Sequence, residues 1–172
     1  MAIYTKRLMI RALSVADDYA AYAALTALPE VSAGAGFDLI SNPRMMPSAL
    51  KRQLRSPGSY GLFKDDELIG AILLFERIGQ SGQASEQHAE ISYFLAPSAW
   101  HCGYMVEALM ALIEELQQRQ VIKTIVAEAF SDNQASINLL KRLGFSFVTE
   151  LRDPIIGRQK VVYELVLSPI CG

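Results

Sequence analysis

Between Glu90 and Glu107 the chain reads EISYFLAPSAWHCGYMVE, and the period of its apolar positions changes once along that stretch. Ile91 to Leu95 is β-branched, aromatic and aliphatic, as strands are, and Pro97 ends the run because proline has no N–H for a ladder. From Val106 onward the apolar residues Val106, Leu109, Met110, Ile113 and Leu116 recur at helical spacing, with Glu107, Glu114, Glu115, Gln117 and Gln118 between them. The spacing predicts an amphipathic helix that starts close to Gly103. A loop entering a helix in this way leaves several backbone N–H groups unpaired at the positive end of the helix dipole, which suits a phosphate. Gly103 lets a ligand approach the backbone closely. Many α/β proteins carry the same junction without a ligand.

The flanking pattern supplies the remaining elements. Residues 5–13 read as one strand, and Ser14 with Asp17 three residues later caps a helix that buries Val15, Tyr19, Tyr22 and Ala23 and ends by Pro29. Gly34, Gly36, Asn42 and Pro43 break the segment 31–46, leaving a mobile stretch near the substrate with a short turn at Phe37 to Ile40. Pro47 suits the first turn of a helix through Arg55, which Ser56-Pro57-Gly58 stops. Tyr60 to Lys64 and Leu68 to Arg77 form a hairpin across Asp65-Asp66, and Ile69 to Phe75 is apolar apart from Gly70, as a strand buried on both faces would be. The polar run GQSGQASEQ over 79–87 reads as an exposed hairpin tip. Downstream come a strand at Val121 to Phe130, a helix capped by Ser131-Asp132-Asn133 and stopped at Gly144, and strands at Phe145 to Leu151 and Lys160 to Leu167. Strands that alternate with helices in the middle and pair as hairpins at both ends describe an α/β (α+β) mixed sheet with helices on both faces.

Composition narrows the function. A chain of 172 residues with 51% hydrophobic and 20% charged residues fits one folded domain spanning 1–172. A net charge of −2 and no basic cluster interleaved with aromatics argue against nucleic acid as the main ligand. No apolar run reaches the length of a membrane span, and the opening MAIYTKRLMIRAL lacks a signal-peptide core, so a soluble cytoplasmic protein is expected. Cys102 and Cys171 stand far apart without metal-type spacing, which indicates neither a disulfide framework nor a zinc site.

Three stretches carry a family resemblance. AEISYFLAPSAWHCGYMVEAL resembles the cofactor-binding signature of the GNAT superfamily of acyl-CoA N-acyltransferases, and more narrowly its Rim-type branch of ribosomal-protein N-terminal acetyltransferases. EAFSDNQASINLLKRLGF, Glu128 to Phe145, is similar to the second signature of that family, and Lys6 to Arg11 to the opening strand of the branch. The resemblance implies a mostly antiparallel central sheet whose middle strands splay apart to admit acetyl-CoA. It also implies acetyl transfer to a primary amine, either a small molecule or a protein N-terminus, by direct attack and without a metal. It leaves a homodimer open.

Acyl transfer from a thioester to an amine needs a neutral amine, a polarised carbonyl and a route for the proton. Glu90, a charge leading an apolar strand, is the candidate base, and a salt-bridged strand end is the other reading of it. His88 lies two residues earlier on the same face, where it either assists or is simply exposed. The resemblance gives Ser136 a role in hydrogen-bonding CoA or protonating its thiolate, and Asn133 a contact with the pantetheine arm; plain helix-start residues are the alternatives. It places the pantetheine along Phe94 and Leu95 and the pyrophosphate on Trp100, His101, Cys102, Gly103, Tyr104, Met105 and Val106. Leu140 stands where many family members have a general-acid tyrosine, and Cys102 reads as an exposed loop cysteine. His101 replaces a usual glycine and Met105 a small residue, which motivates a second reading: a catalytically weakened module that binds acyl-CoA or a partner.

Overall fold

The computed structural model describes residues 2–35, 43–78 and 84–168. In chain order these form β1 (Ala2–Tyr4), β2 (Met9–Ala12), α1 (Val15–Thr26), α2 (Pro29–Ala35), α3 (Met46–Arg55), β3 (Ser59–Lys64), β4 (Glu67–Ile78), β5 (Ala84–Leu95), α4 (Tyr104–Arg119), β6 (Thr124–Phe130), α5 (Gln134–Arg142), β7 (Ser146–Arg152) and β8 (Gln159–Val166). The strands neighbour one another in the order β1-β2-β3-β4-β5-β6-β8-β7. β1 with β2, β2 with β3, β3 with β4, β6 with β8 and β7 with β8 run antiparallel, whereas β5 and β6 run parallel. The mixed, mostly antiparallel sheet expected from the sequence is therefore present. By contacts the chain divides into two compact units, one of Met1–Leu73 with Tyr93–Ala111 and one of Leu74–Ser92 with Leu112–Gly172.

In the first unit, Ser14 caps α1 by accepting from the Asp17 N–H at 3.0 Å, as the sequence predicts. Tyr22, fully buried, donates its hydroxyl to Gln53 at 2.8 Å and packs at 6.1 Å from the Phe94 ring, joining α1, α3 and the end of β5. Asp18 is buried and carries a forked pair with Arg11 at 2.8 and 2.9 Å, which together with the Ser14 N–H holds its carboxyl below the usual range despite burial. Asp65 and Asp66 take φ of 50° and 65°, the two left-handed residues of a type I′ hairpin turn between β3 and β4.

Two expectations need correcting, the single strand over 5–13 and the burial of β4 on both faces. Residues 5–13 are not one strand, because the Thr5 hydroxyl takes the Leu8 N–H at 2.9 Å and the Thr5 N–H bonds the Leu8 carbonyl at 2.9 Å, closing a turn between β1 and β2. Pro29 opens α2 rather than only ending α1, since proline fits a first helical turn whose N–H would be unpaired anyway. The turn expected at Phe37 to Ile40 lies outside the described residues. Burial of β4 on both faces holds for Ile69 to Leu73 but ends at Leu74, and Phe75 is 41% exposed.

The helix α4 starts at Tyr104, one residue after Gly103, as its apolar spacing predicts. Its buried line, however, runs Met105, Ala108, Leu109, Leu112 and Leu116, while Met110 is 59% exposed. The 3.6-residue period locates a helix but not the rotation that its neighbours impose.

In the second unit, β5 and β6 pair over His88–Ile91 and Thr124–Ala127. The strand expected from Val121 begins three residues later, with Val121 itself 55% exposed. Lys123 donates to the Gln87 carbonyl and accepts from the Leu167 N–H, so the chain is anchored there before the ladder begins. β5 already starts at Ala84, so Ala84 to Gln87 are strand rather than hairpin tip; backbone pairing overrides their polar composition. Positions 79–83 and Cys171 lie outside the described residues. Asn133 caps α5, and Gly144 at φ 86° ends it, with the Phe145 N–H bonding the Leu140 carbonyl at 3.0 Å.

Candidate active site

The first unit carries the loop that joins β5 to α4. The Ala96 N–H bonds the Ile69 carbonyl at 2.8 Å, a 3-10 turn runs Pro97–Ala99, and the Trp100 indole N–H donates to the Leu95 carbonyl at 3.0 Å. Trp100 thereby uses its polar edge to brace the strand end, with 42% of the residue exposed. His101 and Gly103 both take left-handed backbone, at φ 59° and 76°. That geometry explains why a glycine suits either position, and it leaves His101 under backbone strain.

Helical bonding begins only where the Glu107 N–H reaches the Gly103 carbonyl at 3.1 Å. Among the described residues, none of the N–H groups of His101 to Val106 donates to the protein. A run of such donors at the start of a sixteen-residue helix is an arrangement that can receive an anion. Met105, expected to face the cofactor, is only 7% exposed, so its side chain joins the buried line of α4 and its backbone alone is available to a ligand. Phe94 is likewise in the core at 8% exposure, and Leu95 is half-buried. Cys102 is exposed, and its thiol lies 3.3 Å from the Trp100 carbonyl.

Sequence reasoning missed what holds this loop. Arg7 donates from Nε to Glu107 Oε2 at 2.7 Å and places Nη2 2.7 Å from the same oxygen, while Nη1 reaches the Cys102 carbonyl at 3.0 Å. Glu107 Oε1 accepts from the Arg7 N–H at 3.0 Å and the Thr5 hydroxyl at 2.6 Å. The Arg7 guanidinium also lies 4.5 Å over the Tyr104 ring. Burial pushes the Glu107 carboxyl up, but the bonds from Thr5 and Arg7 outweigh it and hold the group below its ordinary value. The signal was the charged run Lys6-Arg7 beside apolar residues, which reads locally as surface.

A cleft of about 470 Å³ in this unit is lined by Tyr4 to Met9 and Phe63 to Asp66. Two of its lining residues, Thr5 and Arg7, also bond Glu107 in the first turn of α4.

The second unit carries Glu90, Asn133 and Ser136. Glu90 stands on β5 opposite Val126 and is half-buried. Burial raises its pKa, the Glu128 carboxylate raises it further, and Arg77 and Lys160 oppose the shift. Glu128 is itself tied to Lys160 at 3.3 Å, and Lys160 to Asp153 at 2.8 Å. A carboxylate with a raised pKa is a stronger base than an exposed glutamate. The imidazole of His88, two residues away, engages the Thr124 hydroxyl across the parallel ladder.

The Asn133 side chain accepts from the Ser136 N–H at 3.1 Å, so it caps α5. Ser136 is half-buried, and Leu140 is fully buried, so the position at which the family resemblance implies a general-acid tyrosine is core here. Among the described residues, no three His, Cys, Asp or Glu side chains are grouped to hold a metal, and no helix is long and apolar enough to cross a membrane.

A family model for the acetyltransferase (GNAT) domain matches residues 7–146. The ribosomal-protein-serine acetyltransferase of Escherichia coli (strain K12) is 36% identical over 84 residues, covering 49% of this chain and 44% of that protein. The chain thus aligns with less than half the length of this curated relative. A GNAT-family acetyltransferase of Bacillus anthracis superposes with a TM-score of 0.80 at 17% identity, covering 96% of this chain and 98% of the other. The Salmonella typhimurium acetyl transferase that modifies the N-terminal serine of ribosomal protein L7/L12 gives 0.78 at 20% identity, covering 98% and 100%. At such identities the solved structures speak to the fold.

Proposed function

Because the chain belongs to the GNAT acetyltransferase family, we propose that it moves the acetyl group of acetyl-CoA directly onto a primary amine, acting as one catalytic domain. The observation that carries this reading is the run of undonated N–H groups from His101 to Val106 at the start of α4. These groups and the positive end of the helix dipole receive the pyrophosphate, and the Phe94–Leu95 segment of β5 receives the pantetheine. Trp100, His101, Cys102, Gly103 and Tyr104 supply the rest of the cradle.

Glu90 takes the proton. The amine nitrogen attacks the thioester carbon, the C–N bond forms, and the C–S bond breaks. One proton leaves the nitrogen for Glu90 through water, and the CoA thiolate regains a proton from solvent or the Ser136 hydroxyl. Asn133 keeps α5 capped so that Ser136 is held in place. The curated relative is named for acetylating a serine of a ribosomal protein, which favours a protein N-terminus as the amine, with small amines as the alternative substrate class. Acetyl-CoA as cosubstrate fits a cytoplasmic protein.

The binding-module alternative drew on Met105 and His101. Met105 is turned into the core, and His101 adopts the backbone conformation that the loop requires, so neither residue favours it. Calorimetry with CoA, followed by thiol release from acetyl-CoA against a panel of small amines and peptides beginning with serine, tests the proposal. Saturable CoA binding with turnover of at least one amine is expected. No binding at millimolar CoA would overturn it.

A further inference from the structure

We propose that Arg7 is the positioning residue of the phosphate cradle: its fork, held by Glu107, takes up the Cys102 carbonyl so that the N–H groups of the loop stay available to the pyrophosphate of acetyl-CoA. The inference rests on the reading of the loop given above and assigns a role to a residue ninety-five positions upstream of Cys102.

A loop that offers consecutive N–H groups to an anion must give its carbonyls other partners, because a carbonyl facing a phosphate repels it. Here the Trp100 carbonyl meets the Cys102 thiol at 3.3 Å, the Gly103 carbonyl takes the Glu107 N–H at 3.1 Å, and the Cys102 carbonyl takes Arg7 Nη1 at 3.0 Å. The last of these lies between two left-handed residues, His101 and Gly103, where the backbone has no regular structure to fix it. Arg7 is the distant group that does so.

Glu107 explains why the anchor is an arginine. Its carboxylate sits in the first turn of α4, close to where a pyrophosphate would bind, and unneutralised it would oppose that ligand. Arg7 meets it with Nε and Nη2, both at 2.7 Å, and with its own backbone N–H, and Thr5 adds a fourth bond. The third nitrogen of the same planar fork remains for Cys102, and the face of the fork lies on Tyr104. A lysine offers one nitrogen, which cannot reach both acceptors and cover the ring.

The test measures CoA affinity by calorimetry and steady-state rates with acetyl-CoA and with S-acetylpantetheine, which lacks the pyrophosphate. Arg7→Ala and Arg7→Lys should each raise the CoA Kd and the acetyl-CoA KM by roughly tenfold or more, the effect of a lost charged hydrogen bond. Turnover at saturation should stay within about threefold, since binding rather than the transition state is affected. Rates with S-acetylpantetheine should not change. Arg7→Lys binding CoA like the parent would overturn the inference in favour of simple charge, and an equal loss with S-acetylpantetheine would overturn it in favour of a general structural role. Should the arginine variants unfold, Glu107→Gln keeps the Thr5 acceptor while loosening the fork, and CoA affinity equal to the parent would overturn the inference. If the parent itself binds no CoA, the acetyltransferase reading fails and takes this inference with it; parent binding with unaffected variants removes the role of Arg7 alone.

Discussion

Replacing Glu90 by Gln should separate activity from stability, because the same burial that makes the carboxyl a better base also makes its charge a burden on the fold. The amide keeps size and polarity but accepts no proton at neutral pH, so turnover should fall on the order of a hundredfold, the usual worth of a general base. That corresponds to about 2.7 kcal/mol of barrier. CoA affinity should stay near the parent value, since Glu90 lies on β5 and not in the loop before α4. The pH profile of kcat/KM should lose its acidic limb, which in the parent lies above the ordinary glutamate value of 4.5 because burial and Glu128 raise Glu90. The stability change has the opposite sign. A carboxyl with a raised folded pKa binds its proton more tightly in the native state than in the unfolded one, so stability falls as pH rises through that window. Above the window the ionised group is a net cost, and Glu90→Gln removes it. The thermal midpoint of the variant at neutral pH should therefore equal or exceed that of the parent, with the difference closing on acidification. A variant with near-parent turnover would refute the base assignment. A variant with a lowered midpoint at neutral pH would refute the electrostatic argument and make Glu90 an ion-pair partner of Arg77 or Lys160.

Glycine substitutions test the backbone on either side of the cradle. A Cβ on Gly70 would lie 2.5 Å from the Phe94 carbonyl oxygen and 2.5 Å from Leu95 Cδ2, so Gly70→Ala should displace the end of β5 and lower both the denaturation midpoint and CoA affinity; a parent-like variant would show that β5 yields freely. Such overpacking typically costs about 1–3 kcal/mol. A Cβ on Gly103 meets nothing nearer than Arg7 Nη2 at 3.6 Å, so Gly103→Ala carries only the strain of φ 76°. That strain is about 1–2 kcal/mol, or roughly 2–8 °C in the midpoint for a domain of this size, and no shift would contradict the left-handed geometry. Lys160 and the N–H groups of Ile155 and Ile156 hold the Asp153 carboxyl down to about 2, so its stabilisation is present above the unfolded value of 3.8 and is lost as pH falls toward 2. Asp153→Asn should therefore show a smaller loss of thermal midpoint than the parent across that acid range, and identical acid curves would remove the assignment.

The sequence by itself determined the features that depend on residues within about one turn of each other. The Ser14–Asp17 cap, the Asn133 cap, the tight turn at Asp65-Asp66, the start of α4 after Gly103 and the stop at Gly144 are all interactions of span five or less, and all stand where the pattern put them. The glycine loop leading into a helix was legible for the same reason, whereas Glu90, expected to lead its strand, stands inside β5, which begins at Ala84. The mixed, mostly antiparallel character of the sheet followed from the element pattern plus the family resemblance, while the order of the strands came from the structure.

What only the tertiary structure decided is how those elements are rotated and what lies against them. Periodicity could not say that Met105 turns inward and Met110 outward, because that choice belongs to the surfaces packed on α4. Nor could it place Phe94 against Tyr22 in the core. The break at Thr5 to Leu8 comes from one hydroxyl finding a backbone partner, and the late start of β6 from bonds to Gln87 and Leu167 that lie far away in sequence. The pKa of Glu90 is raised by burial first and then by Glu128, against Arg77 and Lys160, and the loop before α4 is held by Arg7 and Glu107, a hundred residues apart. Charge and hydrogen-bond environments act through space, so the turn between β1 and β2 and the loop before α4 become one device only when the chain is folded.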